Sequence, residues 1–381
     1  MKPETLSRLF DYAVRIRRRL HEYPETGFDL PLTTALVAAE LDAMGIAYTT
    51  RYGTCSIVAE LGQGEELLAV RADMDALPVD EVVDVPFRSK HPGKMHACGH
   101  DMHTAVLLAV AGYLKAHESE LHRRVRLIFQ PSEEGQISGA EMMVQNGVMD
   151  GVDRIICTHC ENMLDAGLIG VCPGDYQAAC VPATITFTGR ASHATLPENG
   201  IDAIAMAHEA YARMKAMVAQ EAGERPYIWS VGRFSGGTVH NVIADRCAMD
   251  ISFRFYDMAL EARVQERVRA ICDEIAARFG GGVIYDWHIS TGPVHNDPAM
   301  TEAFAQCCTA AGLDVRPIPR LMSSEDFGWY LLKRPGMIFR FGTRNEAQGC
   351  TTTAHCSDFK PDETGMQSAI RAFCAYIFSR N

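Results

Sequence analysis

The chain of 381 residues contains no apolar run near the roughly 18 residues that a membrane-spanning helix needs. Its first stretch, MKPETLSRLFDYAVRIRRRL, carries charge throughout and lacks an uninterrupted apolar block, so no secretory leader is expected. Positive charge is scarce: 36 Lys and Arg stand against 48 Asp and Glu, and the net charge is -12. That balance argues against nucleic acid as the main partner, because phosphate binding needs clustered cations. The one dense basic run, RIRRRLHEY (15–23), falls in a helical pattern and is expected to be a solvated helix face. A disulfide framework is missing too. Thirteen cysteines, an odd number without regular spacing, point to free thiols in a reducing compartment. CTHC (157–160) has CxxC spacing, but no second CxxC exists and no helix follows it, which disfavours a redox motif. Internal repeats and low-complexity tracts are also absent. What remains reads as a soluble protein, expected in the cytoplasm, 47% hydrophobic and 22% charged, long enough for more than one domain.

Several segments share one pattern, a short apolar run ending in polar residues. LLAVRADMD (67–75), VRLIFQPSEE (125–134) and RIICTHCEN (154–162) all read as buried strands. HTAVLLAVAGYLKAH between the first two has helical spacing and ends in Lys and His, as helix C-termini tend to. Alternating buried strands and helices predict an α/β domain with a mostly parallel sheet and helices on both faces. In such sheets ligands gather beyond the carboxyl ends of the strands, where DMD, PSEE and TH fall. The middle of the chain reads β-α-β-β-α-β, from PATITFTGR (182–190) to VIYDWHISTG (283–292), the order of a ferredoxin-like α+β unit. We therefore expect a discontinuous catalytic domain, 1–178 and 292–381, with an inserted lid or dimerisation domain at 179–291.

The stretch MHACGHDMHT (95–104) crowds three histidines, a cysteine and an aspartate into ten residues. Thiolate and imidazole suit zinc and other late first-row divalent ions, although loop histidines are often only surface polar groups. Glu133 and Glu134 follow a strand. One can ligate a metal while the other faces a substrate, or Ser132 can simply cap a helix that they begin. His159 ends the third strand, where a convergent site would need a ligand. His355, in TTAHCSDFKPDE, lies where the second piece of the catalytic domain returns to the sheet. FSGG (234–237) reads as a turn, since neither a Lys-Ser/Thr pair nor a helix follows.

Beyond these residues the chain resembles the hippurate hydrolase and N-acyl-amino-acid amidohydrolase family, within the aminoacylase and carboxypeptidase superfamily of dinuclear metallohydrolases. The matching motifs are RRRLHEYPETGF, RADMDALP, MHACGHDMHT, QPSEEGQISGA, CTHC, TGRASHATLP, GGTVHNVIAD, SSEDFGWY and TAHCSDFKPDE, in family order over nearly the whole chain. The resemblance implies two divalent metal ions per subunit (zinc, manganese, cobalt or nickel), held by Cys98, His100, Glu134, His159 and His355. It implies Glu133 as general base toward a metal-activated water. His193, Asn241 and Arg254 match positions that hold the substrate carboxylate or steady the oxyanion. His193 is implied to reach the partner subunit's site, hence a homodimer through the inserted domain. Asp75 and Asp101 are candidates for orienting ligand imidazoles, and His96 and His103 read as structural. The chain departs from the family pattern at Met102, Cys160, Ala244 and Cys356, none of them an implied ligand.

The expected activity is hydrolysis of an N-acyl amino acid to a carboxylic acid and a free amino acid. A metallo-dipeptidase or carboxypeptidase of the same superfamily is the nearest alternative. A Cys98 nucleophile activated by His100, or a non-catalytic metal-binding or redox module, are readings from other classes.

Overall fold

The computed structural model describes residues 1–380. In chain order its helices are α1 (Pro3–Glu22), α2 (Pro31–Ala43), α3 (His100–Ala116), α4 (Gly139–Gln145), α5 (Ala203–Ala222), α6 (Met258–Phe279), α7 (Pro298–Ala310), α8 (Gly328–Leu331) and α9 (Gly365–Ile377). The strands begin with β1 (Tyr48–Thr49), β2 (Ile57–Leu61), β3 (Leu67–Asp73), β4 (Arg124–Gln130), β5 (Arg154–Asp165), β6 (Leu168–Val171) and β7 (Gly174–Gln177). They continue with β8 (Ala179–Thr188), β9 (Ile228–Gly236), β10 (Arg246–Phe255), β11 (Gly282–Trp287), β12 (Val294–Asn296), β13 (Asp314–Pro317) and β14 (Gly336–Arg344). The chain divides into two compact units, Met1–Tyr176 with Val294–Arg320 and 326–381, and Gln177–Pro293 with Leu321–Glu325.

The first unit is built on an eight-stranded sheet ordered β1-β2-β4-β3-β5-β14-β6-β13. Its centre is parallel: β3 pairs with β4 and β5, and β5 with β14. The antiparallel pairs lie outside this centre, at β1–β2, β2–β4 and β6–β14. Every residue of β3 is buried, as a continuous apolar run in a doubly covered parallel sheet should be. Helices α1, α3 and α9 pack on one another, and α3 lies on β3 and β5. Their apolar faces merge into one core around Leu107, Val110, Phe129, Ile156, Phe339 and Phe373.

Strand order explains where a site can form. From β3 the chain passes through α3 to β4 on one side, then crosses to β5 on the other side of β3. Such a reversal opens a crevice at the carboxyl end of the strand where it occurs. Asp73 ends β3, Asp75 and the Glu133–Glu134 pair follow β3 and β4, and His159 lies on β5 just past its ladder with β3.

The second unit is a four-stranded antiparallel sheet ordered β11-β8-β10-β9, with α5 and α6 against it. This is the strand order of a ferredoxin-like unit. Along β10 burial alternates, Cys247, Met249, Ile251, Phe253 and Phe255 facing the helices. Strand β9 is one of the two edges, exposed over most of its length.

The basic run of α1 departs from the solvated face expected of it. Arg17 and His21 are buried, in register with Ala13, Ile16 and Leu20 on the inward stripe. Arg17 Nε reaches Asp101 at 2.8 Å, and His21 bridges Asp101 at 2.7 Å and Glu81 at 3.1 Å. Buried charge is tolerated there because it is paired. No helix among the described residues is long and apolar enough to cross a membrane.

Candidate metal centre

Helix α3 starts at the site. Gly99 precedes it with φ +81°, and a Cβ there would meet Cys160 Sγ at 2.3 Å, so only glycine fits. The tight entry sets Cys98 before the helix and His100 at its first residue, both buried. His159, near the end of the buried part of β5, brings Nε2 to 3.3 Å from Cys98 Sγ. On the far side of Cys98, His355 Nε2 stands 3.0 Å from Glu134 Oε1. His100 Nε2 lies 3.7 Å from Glu133 Oε2 and 3.9 Å from Glu134 Oε1.

Ligand-capable atoms of Cys98, His100 and His159 all lie within 4.8 Å of one another, as do those of Cys98, Glu134 and His355 and those of His100, Glu133 and Glu134. The groups overlap at Cys98, His100 and Glu134, so they form adjoining pockets. All six residues of the sequence-derived metal and base set are therefore in one cluster in the first unit.

Two backbone kinks build the cluster. Only three non-glycine residues among those described have positive φ, and two of them are here: Ser132 at +54° and His355 at +70°. Such conformations cost about 1–3 kcal/mol and persist where neighbours enforce them. Past Ser132 the chain turns so that the amides of Glu133 and Glu134 both donate to the Asp75 carboxylate, at 2.9 and 3.1 Å. Helix α4 begins only at Gly139, capped by Ser138, so Ser132 is no helix cap. At His355 the amide donates to Ala97 O at 2.8 Å, which ties the last ligand-capable loop to the first.

The electrostatics fit a cation. Burial opposes a protonated His100, but the charges of Asp73, Asp75 and Glu134 outweigh it and raise its pKa to about 10. Burial, together with Glu134 and Glu133, pushes the Cys98 thiol well above its usual range. Burial and then Arg340 hold His159 neutral. Both His100 nitrogens are buried without a hydrogen-bond partner; Asp75 Oδ1 is 3.5 Å from Nδ1, too long for a good one. Buried imidazole nitrogens with no partner, facing carboxylates and a thiol, are the donor set of a divalent metal site. The residues present fit such ions.

Not every nearby group is available. His103 Nδ1 donates to Asp73 Oδ1 at 2.6 Å, and its Nε2 accepts the Cys160 amide at 2.9 Å, so neither nitrogen is left for a metal. Asp101 was expected to orient a ligand imidazole. Its carboxylate instead meets Arg17, His21 and the Met102 amide. Cys157 and Cys160 are three residues apart on a strand and point to opposite faces, so CTHC cannot close a disulfide.

Behind the cluster, buried Arg71 donates to Asp73 Oδ2 at 2.6 Å, Asp326 Oδ1 at 2.8 Å and Gln130 Oε1 at 2.8 Å. Asp326 also accepts from Ser138 Oγ at 2.7 Å. Sequence reasoning passed over these residues, although RADMD places an acidic group at the end of β3; Asp326, in SSED, comes from the segment before α8.

The other implied site residues belong to the second unit. Exposed His193 and Asn241 sit on neighbouring segments, joined by the Ala194 amide donating to Asn241 O at 3.0 Å. Arg254, half-buried on β10, donates through Nη1 to Met322 O at 3.0 Å and Ser324 Oγ at 3.2 Å.

Comparison with known proteins finds relatives that match nearly the whole chain. The chain is 34% identical over 370 residues to N-acetyl-L-cysteine deacetylase of Bacillus subtilis, covering 96% of this chain and 88% of the relative. It is 33% identical to thermostable carboxypeptidase 2 of Saccharolobus solfataricus, over 97% and 96% of the two chains. Among solved structures, a Bacillus subtilis dinuclear metal binding peptidase from the M20 family superposes with a TM-score of 0.84 at 29% identity, covering 98% of each chain. The profile of Peptidase family M20/M25/M40 matches residues 69–379. The chain belongs to that family.

Proposed function

We propose that this hydrolase cleaves N-acyl amino acids, of the N-acetyl or hippurate-like kind, to a carboxylic acid and a free amino acid. The observation that carries the reading is Glu133, a half-buried carboxylate beside the Cys98, His100, Glu134, His159 and His355 cluster. We assign those five as the ligands of two divalent cations. When bound, such cations act as Lewis acids that polarise the scissile carbonyl and acidify water. Glu133 is the general base. Its carboxylate takes a proton from the attacking water and delivers it to the amide nitrogen as the carbon–nitrogen bond breaks. Proton transfer of this kind contributes about 10²–10⁴ in rate. Asp75 fixes the backbone of the Glu133–Glu134 turn by accepting both of their amides.

His193, Asn241 and Arg254 are assigned to the substrate's carboxylate and oxyanion. Arg254 offers a guanidinium suited to bidentate carboxylate binding. Exposed His193 supports a role in a second subunit's site. The open edge of β9, with Ile228 and Phe234 exposed, supports a homodimer formed through the inserted unit. Thirteen cysteines, none of them in a disulfide, support a reducing, cytoplasmic location.

The names of relatives favour acylated amino acids, with acyl groups of different size: besides the N-acetyl-L-cysteine deacetylase, an Arabidopsis thaliana IAA-amino acid hydrolase is 35% identical over 363 residues. The carboxypeptidase relative supports a second reading, removal of a C-terminal amino acid from a dipeptide. Assaying N-acetyl, N-benzoyl and dipeptide substrates of the same amino acid separates the two. Turnover of dipeptides alone overturns the first.

A further inference from the structure

We infer that His103 is a positioning residue for the metal centre, holding Cys160 and, through Cys160, the imidazole of His159. The inference rests on the ligand set proposed above. It starts from a gap in the sheet. The ladder between β3 and β5 runs from Leu68–Arg154 to Arg71–Cys157 and stops, while β5 continues to Asp165 alongside β14. Past the end of that ladder the Cys160 amide is buried and still needs an acceptor. His103 Nε2 accepts it at 2.9 Å.

Both faces of the link are fixed. The Asp73 carboxylate accepts from His103 Nδ1 at 2.6 Å, so the proton sits on Nδ1 and the lone pair on Nε2. Asp73 is held by Arg71 at 2.6 Å, and its carbonyl by the Thr104 hydroxyl at 2.7 Å. On the other face, Cys160 O accepts from His159 Nδ1 at 2.6 Å. That bond leaves the His159 Nε2 lone pair free, 3.3 Å from Cys98 Sγ. Cys160 thus has its amide on His103 and its carbonyl on His159. The chain Arg71–Asp73–His103–Cys160–His159 is buried throughout. Partners that orient a ligand imidazole in this way typically govern metal affinity by 10–100-fold.

Three variants test it. His103→Leu fills the volume and offers no acceptor. His103→Gln places a carbonyl oxygen near the position of Nε2. His103→Asn stays polar against Asp73 but falls short of Cys160, and replaces the leucine variant should that one not fold. The readouts are the Co²⁺ dissociation constant by chelator competition, the visible spectrum of the Co²⁺ protein, and melting of the metal-free protein. We expect His103→Leu and His103→Asn to bind Co²⁺ roughly 10–100-fold more weakly with an altered spectrum, and His103→Gln to recover most of the loss. Wild-type affinity and spectrum in the leucine or asparagine variant overturns the inference. Equal losses in all three, tracking metal-free melting, reduce His103 to packing and also overturn it. Wild-type protein with no thiolate-to-cobalt band, or a band that survives Cys98→Ser, overturns the ligand set itself, and this inference with it.

Discussion

Asp75 Oδ1 accepts the Glu133 amide at 2.9 Å, and the same oxygen stands 3.5 Å from Nδ1 of His100. One carboxylate therefore reaches the glutamate turn and a candidate ligand imidazole together. Asp75→Asn presents an N–H to one of the two glutamate amides, where a repulsion replaces a bond. We expect turnover to fall by about 10–100-fold, with metal content lowered as well, which metal analysis of purified protein would report. Unchanged turnover would remove Asp75 from the machinery.

Glu133→Gln keeps the shape of the turn and loses the base. Metal stoichiometry should stay at the wild-type value while kcat drops by about 10²–10⁴. A variant that turns over normally would end the role assigned to Glu133.

The donor set predicts metal preference. Cys98 is the one soft ligand of the proposed five, and thiolate favours zinc over manganese. Exchange for a hard oxygen donor, Cys98→Asp, should lower the zinc-to-manganese affinity ratio by roughly tenfold. Parallel titrations with both ions read this directly, and an unchanged ratio would mean that Cys98 does not ligate.

His21 lies between Asp101 and Glu81. Burial and the nearby Arg17 charge oppose its protonation, but the two carboxylates outweigh them and raise its pKa above the ordinary 6.5. A folded pKa above the unfolded one gives stability that is complete below about 6.5 and fades as pH rises through the raised value. In His21→Gln this contribution is gone. Urea midpoints of wild type and variant should therefore differ most at mildly acid pH and converge as pH rises. A gap that widens with pH would contradict the assigned charge.

Much of this was legible in the sequence because apolar runs and polar strand ends are local signals. LLAVRADMD, VRLIFQPSEE and RIICTHCEN read as buried strands whose ends carry the chemistry; β3 and β4 meet that reading, whereas β5 runs on to Asp165 and carries His159 midway. The β-α-β-β-α-β order of the middle segment was equally plain. The buried ion network was not. Arg71 lies inside an apolar run, and nothing local says that its partners are Asp73 and Asp326, which are 253 residues apart in the chain. Arg17 and His21 carried a readable signal, since both fall on the apolar stripe of α1 with Ala13 and Leu20 and so required buried partners. That Asp101 supplies one, and so faces away from the ligand imidazoles, depends on how α1 packs against α3. Residues such as His103 and Cys160 acquire a role only once β5 outruns the β3 ladder, a property of register that no single segment encodes.

The most direct test of the central claim is free amino acid release from N-acetyl, N-benzoyl and longer N-acyl amino acids. The protein would first be chelated, then reloaded with Mn²⁺, Zn²⁺ or Co²⁺. The expected result is no release from chelated protein and release restored by at least one metal, with the acyl groups ranked in the same plate. Release that survives complete metal removal, or none from protein shown to hold metal, would contradict it.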